Sequence, residues 1–157
     1  MKCSLKKGFS FGLSSGIITT LGLMVGLNSS TGSTSVVIGG ILVIAIADAM
    51  SDALGIHISE ESENQHSEKE IWAVTIMTLF SKFIFSAMFI IPVIFLPLAL
   101  AIKFSVVVGI FLIAIYSYHL AKKQKTKPYK VIGEHLLIAI MVVVITHYIG
   151  LWAATLK

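Results

Sequence analysis

Five long apolar stretches limit most strongly how this chain can fold. Crossing the hydrocarbon core of a bilayer takes roughly 20 mostly apolar residues. Such stretches form helices, because a backbone group left unpaired in lipid is energetically costly. The sequence therefore predicts an all-α integral membrane protein, a five-helix bundle. Its predicted spans are residues 9–28, 36–58, 71–98, 104–121 and 135–155.

Composition agrees with a membrane protein. Hydrophobic residues make up 56% of the chain and charged residues 13%, whereas about 25% of residues in soluble proteins are charged. The net charge is +4, but all twelve basic residues are lysines grouped between the apolar stretches. This grouping is typical of membrane flanks, so we expect contact with membrane lipid and no nucleic-acid partner. The single cysteine, Cys3, excludes an internal disulfide.

The distribution of lysines predicts the direction of the spans, because lysines collect on the cytoplasmic side. Only Lys103 and Lys157 fall on one side. Nine lysines fall on the other side: Lys2, Lys6, Lys7, Lys69, Lys122, Lys123, Lys125, Lys127 and Lys130. We therefore expect a cytoplasmic amino terminus, a carboxyl terminus outside, and one transmembrane domain covering residues 1–157. The exclusive use of lysine and the many isoleucines favour a prokaryotic cell membrane.

Two acidic residues lie inside the second predicted span. Asp48 and Asp52 are four residues apart and so share a helix face. A carboxylate at membrane depth is costly unless it is paired or hydrated, so it is a functional candidate. Two neighbouring carboxylates suit a divalent cation or the exchange of protons. The alternative is a structural ion pair with Lys82 of the third span, and both hold if Lys82 alternates with a bound cation.

A short acidic loop, residues 59–70, follows the second span and is predicted to be cytoplasmic. Carboxylates with an occasional imidazole suit Mn²⁺ or Fe²⁺, and an acidic mouth would concentrate cations. The alternative is a solvated charged surface without a ligand. The candidate metal ligands in this loop are Glu60, Glu61, Glu63, Glu68 and Glu70, with His66 among them.

Small residues recur along one face of the first predicted span. Steps of three and four residues keep them on that face. Glycines there allow another helix to approach closely. Packing within the chain and contact with a second copy of the first span both remain open. The residues are Gly8, Gly12, Ser15, Thr19, Gly22 and Gly26.

Four passages together resemble the vacuolar iron transporter family, which carries ferrous iron and manganese. They are FGLSSGIITTLGL at 11–23, SDALGIHIS at 51–59, FIFSAMFIIPVIFLP at 83–97 and THYIG at 146–150. The resemblance implies a homodimer with a cation path near the first helices. It also implies export of cytoplasmic Fe²⁺ or Mn²⁺, usually against protons. The metal would be the transported ion, and no cofactor is expected.

The sequence departs from the family at its acidic positions. The family's first-helix Asp is Ser15 here, its second-helix Glu is Ile56, and a Met of that helix is Asp52. We interpret Asp48 and Asp52 as relocated carboxylates that replace the missing ones. The long metal-binding insert of plant and fungal members is reduced to the short acidic loop.

Two hypotheses follow. The first is a dimeric divalent-metal transporter with Asp48 and Asp52 as its membrane site and Ser15, Thr19 and Lys82 along the path. The second is a non-transporting membrane scaffold or sensor that keeps the fold, with Lys82 as a neutralising partner. No pairing of a nucleophile with a base is visible, so we do not expect an enzyme.

Overall fold

The computed structural model describes the backbone of residues 2–156 and the side chains from Ser4 onward. Every regular element in this range is helical. The α-helices are α1 (Lys2–Thr31), α2 (Thr34–Val43), α3 (Ala49–Ser62), α4 (Glu68–Ala87), α5 (Ile90–Phe95), α6 (Leu98–Lys123) and α7 (Pro128–Ala154). A π-helical segment, Ile44–Asp48, joins α2 to α3 without a break.

Five helical stretches within residues 2–156 are long and apolar enough to cross a membrane, which confirms the predicted all-α membrane fold. They are Ser4–Thr31, Thr34–Ser62, Glu68–Phe95, Leu98–Lys123 and Pro128–Ala154. Each extends past its predicted span at one or both ends, because helical hydrogen bonding continues into the polar flanks. At its far end the third stops at Phe95, short of the predicted residue 98, and the fifth stops at Ala154, one residue short of the predicted residue 155.

Prolines explain the interruption of the third span. Two residues, Met88 and Phe89, separate α4 from α5. Pro92 has no N–H to donate to the carbonyl of Met88 four residues earlier, and its ring crowds that carbonyl. The next proline, Pro97, directly precedes α6. Pro92 therefore accounts for the break in this span, and Pro97 follows its end.

The turns between spans are short. Gly32 follows α1 with φ of +60°, a left-handed conformation that glycine adopts without strain, and its N–H donates to the Asn28 carbonyl at 3.0 Å. The acidic segment predicted as a loop is largely helical. Helix α3 runs through Ser62 and α4 begins at Glu68, so only residues 63–67 lie outside helices.

The chain divides into two compact units. One contains the residues up to Thr20 together with Ile41–Phe89. This first unit holds the aspartates, Lys82 and the acidic segment. The other contains Leu21–Gly40 and the residues from Ile90 onward.

Within the second unit, glycines allow α1 to lie close to α7. An added Cβ at Gly22 would lie 2.7 Å from Val142 Cγ1, and one at Gly26 would lie 3.4 Å from the Thr146 carbonyl oxygen. The Ser29 hydroxyl pairs with Nδ1 of His147 at 2.7 Å. This hydrogen bond links α1 to α7 through His147.

Candidate cation site in the second and third spans

Glycines bring α1 into backbone contact with α4. An added Cβ at Gly12 would lie 2.7 Å from the Thr78 carbonyl oxygen and 2.8 Å from the Lys82 nitrogen. One at Gly16 would lie 3.0 Å from the Lys82 carbonyl oxygen. The Ser86 hydroxyl donates to the Gly16 carbonyl at 3.3 Å, which adds an interhelical hydrogen bond. The two helices are therefore closely packed beside Lys82.

The glycines on the small-residue face of the first span pack against other helices of the same chain. Gly8 continues the contact with α4, because its added Cβ would lie 3.0 Å from Met77 Cβ and 2.5 Å from the Val74 carbonyl oxygen. Gly22 and Gly26 contact α7 instead, as described above. The packing interpretation therefore applies to these glycines. A homodimer through the first helix stays a prediction.

Lys82 joins the two intramembrane aspartates. Its side chain is completely buried, and its Nζ lies 2.6 Å from Asp48 Oδ2. The same Nζ also contacts Asp52 Oδ2. Both carboxylates therefore lie on one face of the second span and converge on a single ammonium group. The structural ion pair that the sequence left open is present.

Ser15 of α1 completes this cluster. Its hydroxyl donates a hydrogen bond of 2.7 Å to Asp52 Oδ2, the oxygen that also contacts Lys82. Thr19, one turn later, donates its hydroxyl to the Ser15 carbonyl at 2.8 Å. Ser15 is therefore a direct partner of the carboxylates, whereas the Thr19 hydroxyl is used within its own helix. We call Ser15, Asp48, Asp52 and Lys82 the aspartate cluster.

The aspartate cluster is unbalanced in charge and in exposure. Two carboxylates and one ammonium carry a formal charge of −1. The Lys82 side chain is 0% exposed, whereas the Asp48 side chain is 35% and the Asp52 side chain 23% exposed. The carboxylates are therefore partly exposed at the surface of the described residues, whereas the ammonium between them is buried.

The backbone is irregular where Asp48 lies. The π-helical segment ends at Asp48, and α3 starts with the next residue. A π turn carries an extra residue, and single π turns inside α-helices are frequent at functional sites. The apolar sequence of this segment, IAIAD, contains no signal for a π turn, so sequence reasoning missed it.

A second cluster lies at the end of α3. Ligand atoms of Glu60, Glu63 and His66 lie within 4.8 Å of one another. Glu60 is 2% exposed, forms an ion pair with Lys7 of α1, and lies 3.1 Å from His66 Nδ1. Eight residues of helix separate Glu60 from Asp52, which corresponds to about 12 Å. The ion pair with Lys7 was not predicted, and it means that a cation at Glu60 would have to compete with an ammonium.

The other predicted acidic ligands do not join this second cluster. Glu61 and Glu68 are exposed. Glu70 accepts hydrogen bonds from the Ser67 hydroxyl at 2.9 Å and from the Ser67 N–H at 3.4 Å, an arrangement that stabilises the start of α4. Of the five glutamates proposed from the sequence, the structure brings together Glu60 and Glu63.

Two apolar cavities lie along the same helices but away from the aspartates. They have volumes of about 250 and 280 Å³ and share Met50 and Leu79 in their lining. His57 lines the first cavity and pairs with the Thr75 hydroxyl at 2.9 Å. Neither Asp48, Asp52 nor Lys82 lines these two cavities. His57 therefore belongs to a separate, apolar part of the first unit.

Five apolar helices with a carboxylate cluster at membrane depth define a helical membrane protein with a candidate cation site. Residues 7–75 match the model of the VIT family. This match supports membership of the vacuolar iron transporter family, and it confirms the resemblance over that region. Members of the family are membrane metal-ion transporters and not enzymes. No curated protein matches the chain.

The matched region contains most of the candidate site. It includes Ser15, Asp48, Asp52 and the cluster of Glu60, Glu63 and His66. It ends before Lys82. The lysine that pairs with both aspartates is therefore contributed by a part of the chain outside the family match.

Proposed function

We propose that the protein moves divalent metal ions, Fe²⁺ or Mn²⁺, out of the cytoplasm, with Asp48 and Asp52 as the membrane site. The observation that supports this most directly is the hydrogen bond of 2.7 Å between Ser15 and Asp52. Ser15 stands where the resembled family has an acidic residue on its first helix. In this proposal the second helix supplies, at the same place, the carboxylate that the first helix lacks.

The charge of the aspartate cluster gives a second argument. One ammonium neutralises only one of the two carboxylates, and both carboxylates are partly exposed. An uncompensated charge within a span is costly, and one divalent cation neutralises both carboxylates, which the single ammonium does not. Carboxylate oxygens are the ligands that hard divalent cations prefer.

The rest of the path follows from the position of the acidic segment. Glu60, Glu63 and His66 would collect metal at the cytoplasmic end of the second span. The ion would pass to Asp48 and Asp52, and protons arriving from outside would release it, which amounts to proton antiport. The lysine distribution gives the orientation of the chain, with a cytoplasmic amino terminus in a prokaryotic cell membrane. Export is the direction that the resembled family implies. We further propose a homodimer formed through the first helix, as in the resembled family.

Flux of Mn²⁺ into proteoliposomes tests this proposal. Asp48→Asn and Asp52→Asn each remove one carboxylate charge with little change in shape. We expect each to lower the flux at least about tenfold, the loss typical when a charged partner is removed. Glu61→Gln, which removes an exposed carboxylate of the same helix, is the matched control and should leave the flux unchanged. Unaltered flux in both asparagine variants would exclude this site.

The alternative function is a non-transporting membrane scaffold or sensor. The ion pairs of Lys82 with both aspartates favour it, because they already hold the second and third spans together. In that case the purified protein would neither bind nor move Mn²⁺. The asparagine variants would then change only the free energy of unfolding.

A further inference from the structure

Lys82 occupies the place between the two carboxylates where a bound metal ion would lie. Its Nζ is 2.6 Å from Asp48 Oδ2 and also contacts Asp52 Oδ2. Hard divalent cations bind oxygen ligands at about 2.0–2.6 Å, so a metal ion bridging these oxygens would need the same space. The lysine ammonium is in effect a cation that the chain itself supplies.

The charges lead to the same conclusion. Two carboxylates and the ammonium sum to a formal charge of −1. A divalent ion added to this set would give +1, with two cationic centres only a few ångströms apart in a poorly screened environment. If the ammonium first leaves, two carboxylates and one divalent ion are neutral. Binding of a divalent ion and the Lys82 ion pairs therefore oppose each other in both space and charge.

We propose that Lys82 is a tethered competitor that determines how strongly the aspartate cluster binds divalent ions. A metal ion binds to Asp48 and Asp52 only when the Lys82 ammonium leaves them. The inference rests on the proposed function, because the same two carboxylates are its metal ligands. Lys82 itself lies beyond residues 7–75, the region that matches the family model.

Mn²⁺ binding to the purified full-length protein tests the inference, with the loss of the free-ion electron paramagnetic resonance signal as the readout. Two neutral variants, Lys82→Met and Lys82→Gln, should bind Mn²⁺ at least about tenfold more tightly than the unmodified protein, because the opposing charge is gone. Lys82→Arg keeps the charge and is the matched control, with affinity close to that of the unmodified protein. The inference is wrong if the neutral variants bind no more tightly, or if the arginine variant gains as much as they do.

A second measurement uses the unmodified chain, in case the neutral variants fail to fold. Amine-specific labelling followed by mass spectrometry should find Lys82 protected without metal and labelled when Mn²⁺ is added. Lys103 is exposed and should be labelled equally in both conditions. Unchanged protection of Lys82 at a Mn²⁺ concentration that saturates binding would overturn the inference.

The inference and the proposed function can fail separately. Loss of flux in the asparagine variants, without tighter Mn²⁺ binding in the neutral Lys82 variants, would keep the transport proposal and reject the competitor. Tighter Mn²⁺ binding by the neutral Lys82 variants, in a protein that moves no Mn²⁺, would keep the competitor and reject the transport proposal.

Discussion

Replacing Lys82 by Met should destabilise the metal-free protein, and the structure sets the size of the effect. The substitution keeps an apolar stem of similar length but leaves Asp48 and Asp52 without their ammonium partner. Two charges about 4 Å apart attract by about 4 kcal/mol at the effective dielectric constant typical of proteins. Two such pairs are lost, but methionine also avoids the desolvation of a buried ammonium, which costs several kcal/mol. Because these two effects partly cancel, we expect a net loss of about 2–4 kcal/mol.

A double-mutant cycle separates this pairing from general packing. Asp52→Asn alone leaves Lys82 paired with Asp48. Added to Lys82→Met, it removes one of the two unpaired carboxylates and should recover part of the lost stability. The double variant should therefore lose at least about 1 kcal/mol less than the sum of the two single variants.

The assay is reversible unfolding in mixed detergent micelles, with the free energy of unfolding measured for all four proteins. A parallel cycle with Lys103→Met provides the control, because Lys103 is exposed and its effect should add to that of Asp52→Asn. Additive losses for the Lys82 cycle, within about 0.5 kcal/mol, would refute the idea that the ion pair stabilises the contact between the second and third spans.

Two further predictions concern the packing of α1 and the acidic segment. Gly12→Ala should lower the free energy of unfolding by about 1–3 kcal/mol, because the added Cβ would lie 2.7 Å from a carbonyl oxygen of α4. The control is Gly55→Ala, whose added Cβ meets nothing within 4 Å and which should be neutral or slightly stabilising. Equal effects of the two substitutions on the free energy of unfolding would show that the close approach at Gly12 is unimportant. Glu63→Gln should raise the Mn²⁺ concentration needed for half-maximal flux about threefold or more without lowering the maximal flux. The control, Glu68→Gln, should leave that concentration unchanged. A fall in maximal flux alone in Glu63→Gln would contradict a collecting role for Glu63.

The spans could be predicted because they depend on apolar length, which is read directly along the chain. The prolines of the third span could be predicted for a similar reason: loss of the N–H of Pro92 acts on a carbonyl only four residues away. Asp48 and Asp52 converge because four residues make about one helical turn, again a local property. These features need no knowledge of which helices are neighbours.

The partners of the site residues could be predicted only in part. Lys82 was a candidate partner because it is a lone positive charge at the depth of two negative ones. The contact between Ser15 and Asp52 depends on the register of α1 against the second span, and the ion pair between Lys7 and Glu60 depends on the same register. Spacing within one helix contains no information about that register, so these contacts required the structure.

The packing around Lys82 also limits how the cluster can exchange one cation for another. The close approach of Gly12 and Gly16 holds the backbone of α4 against α1 directly at Lys82. Moving that backbone would break the tight glycine contacts and the hydrogen bond from Ser86 to the Gly16 carbonyl. The lysine side chain, in contrast, has four rotatable carbon–carbon bonds between its backbone and its ammonium. Exchange at Asp48 and Asp52 is therefore expected to proceed by movement of the Lys82 side chain over a fixed helix pair, rather than by separation of α1 from α4.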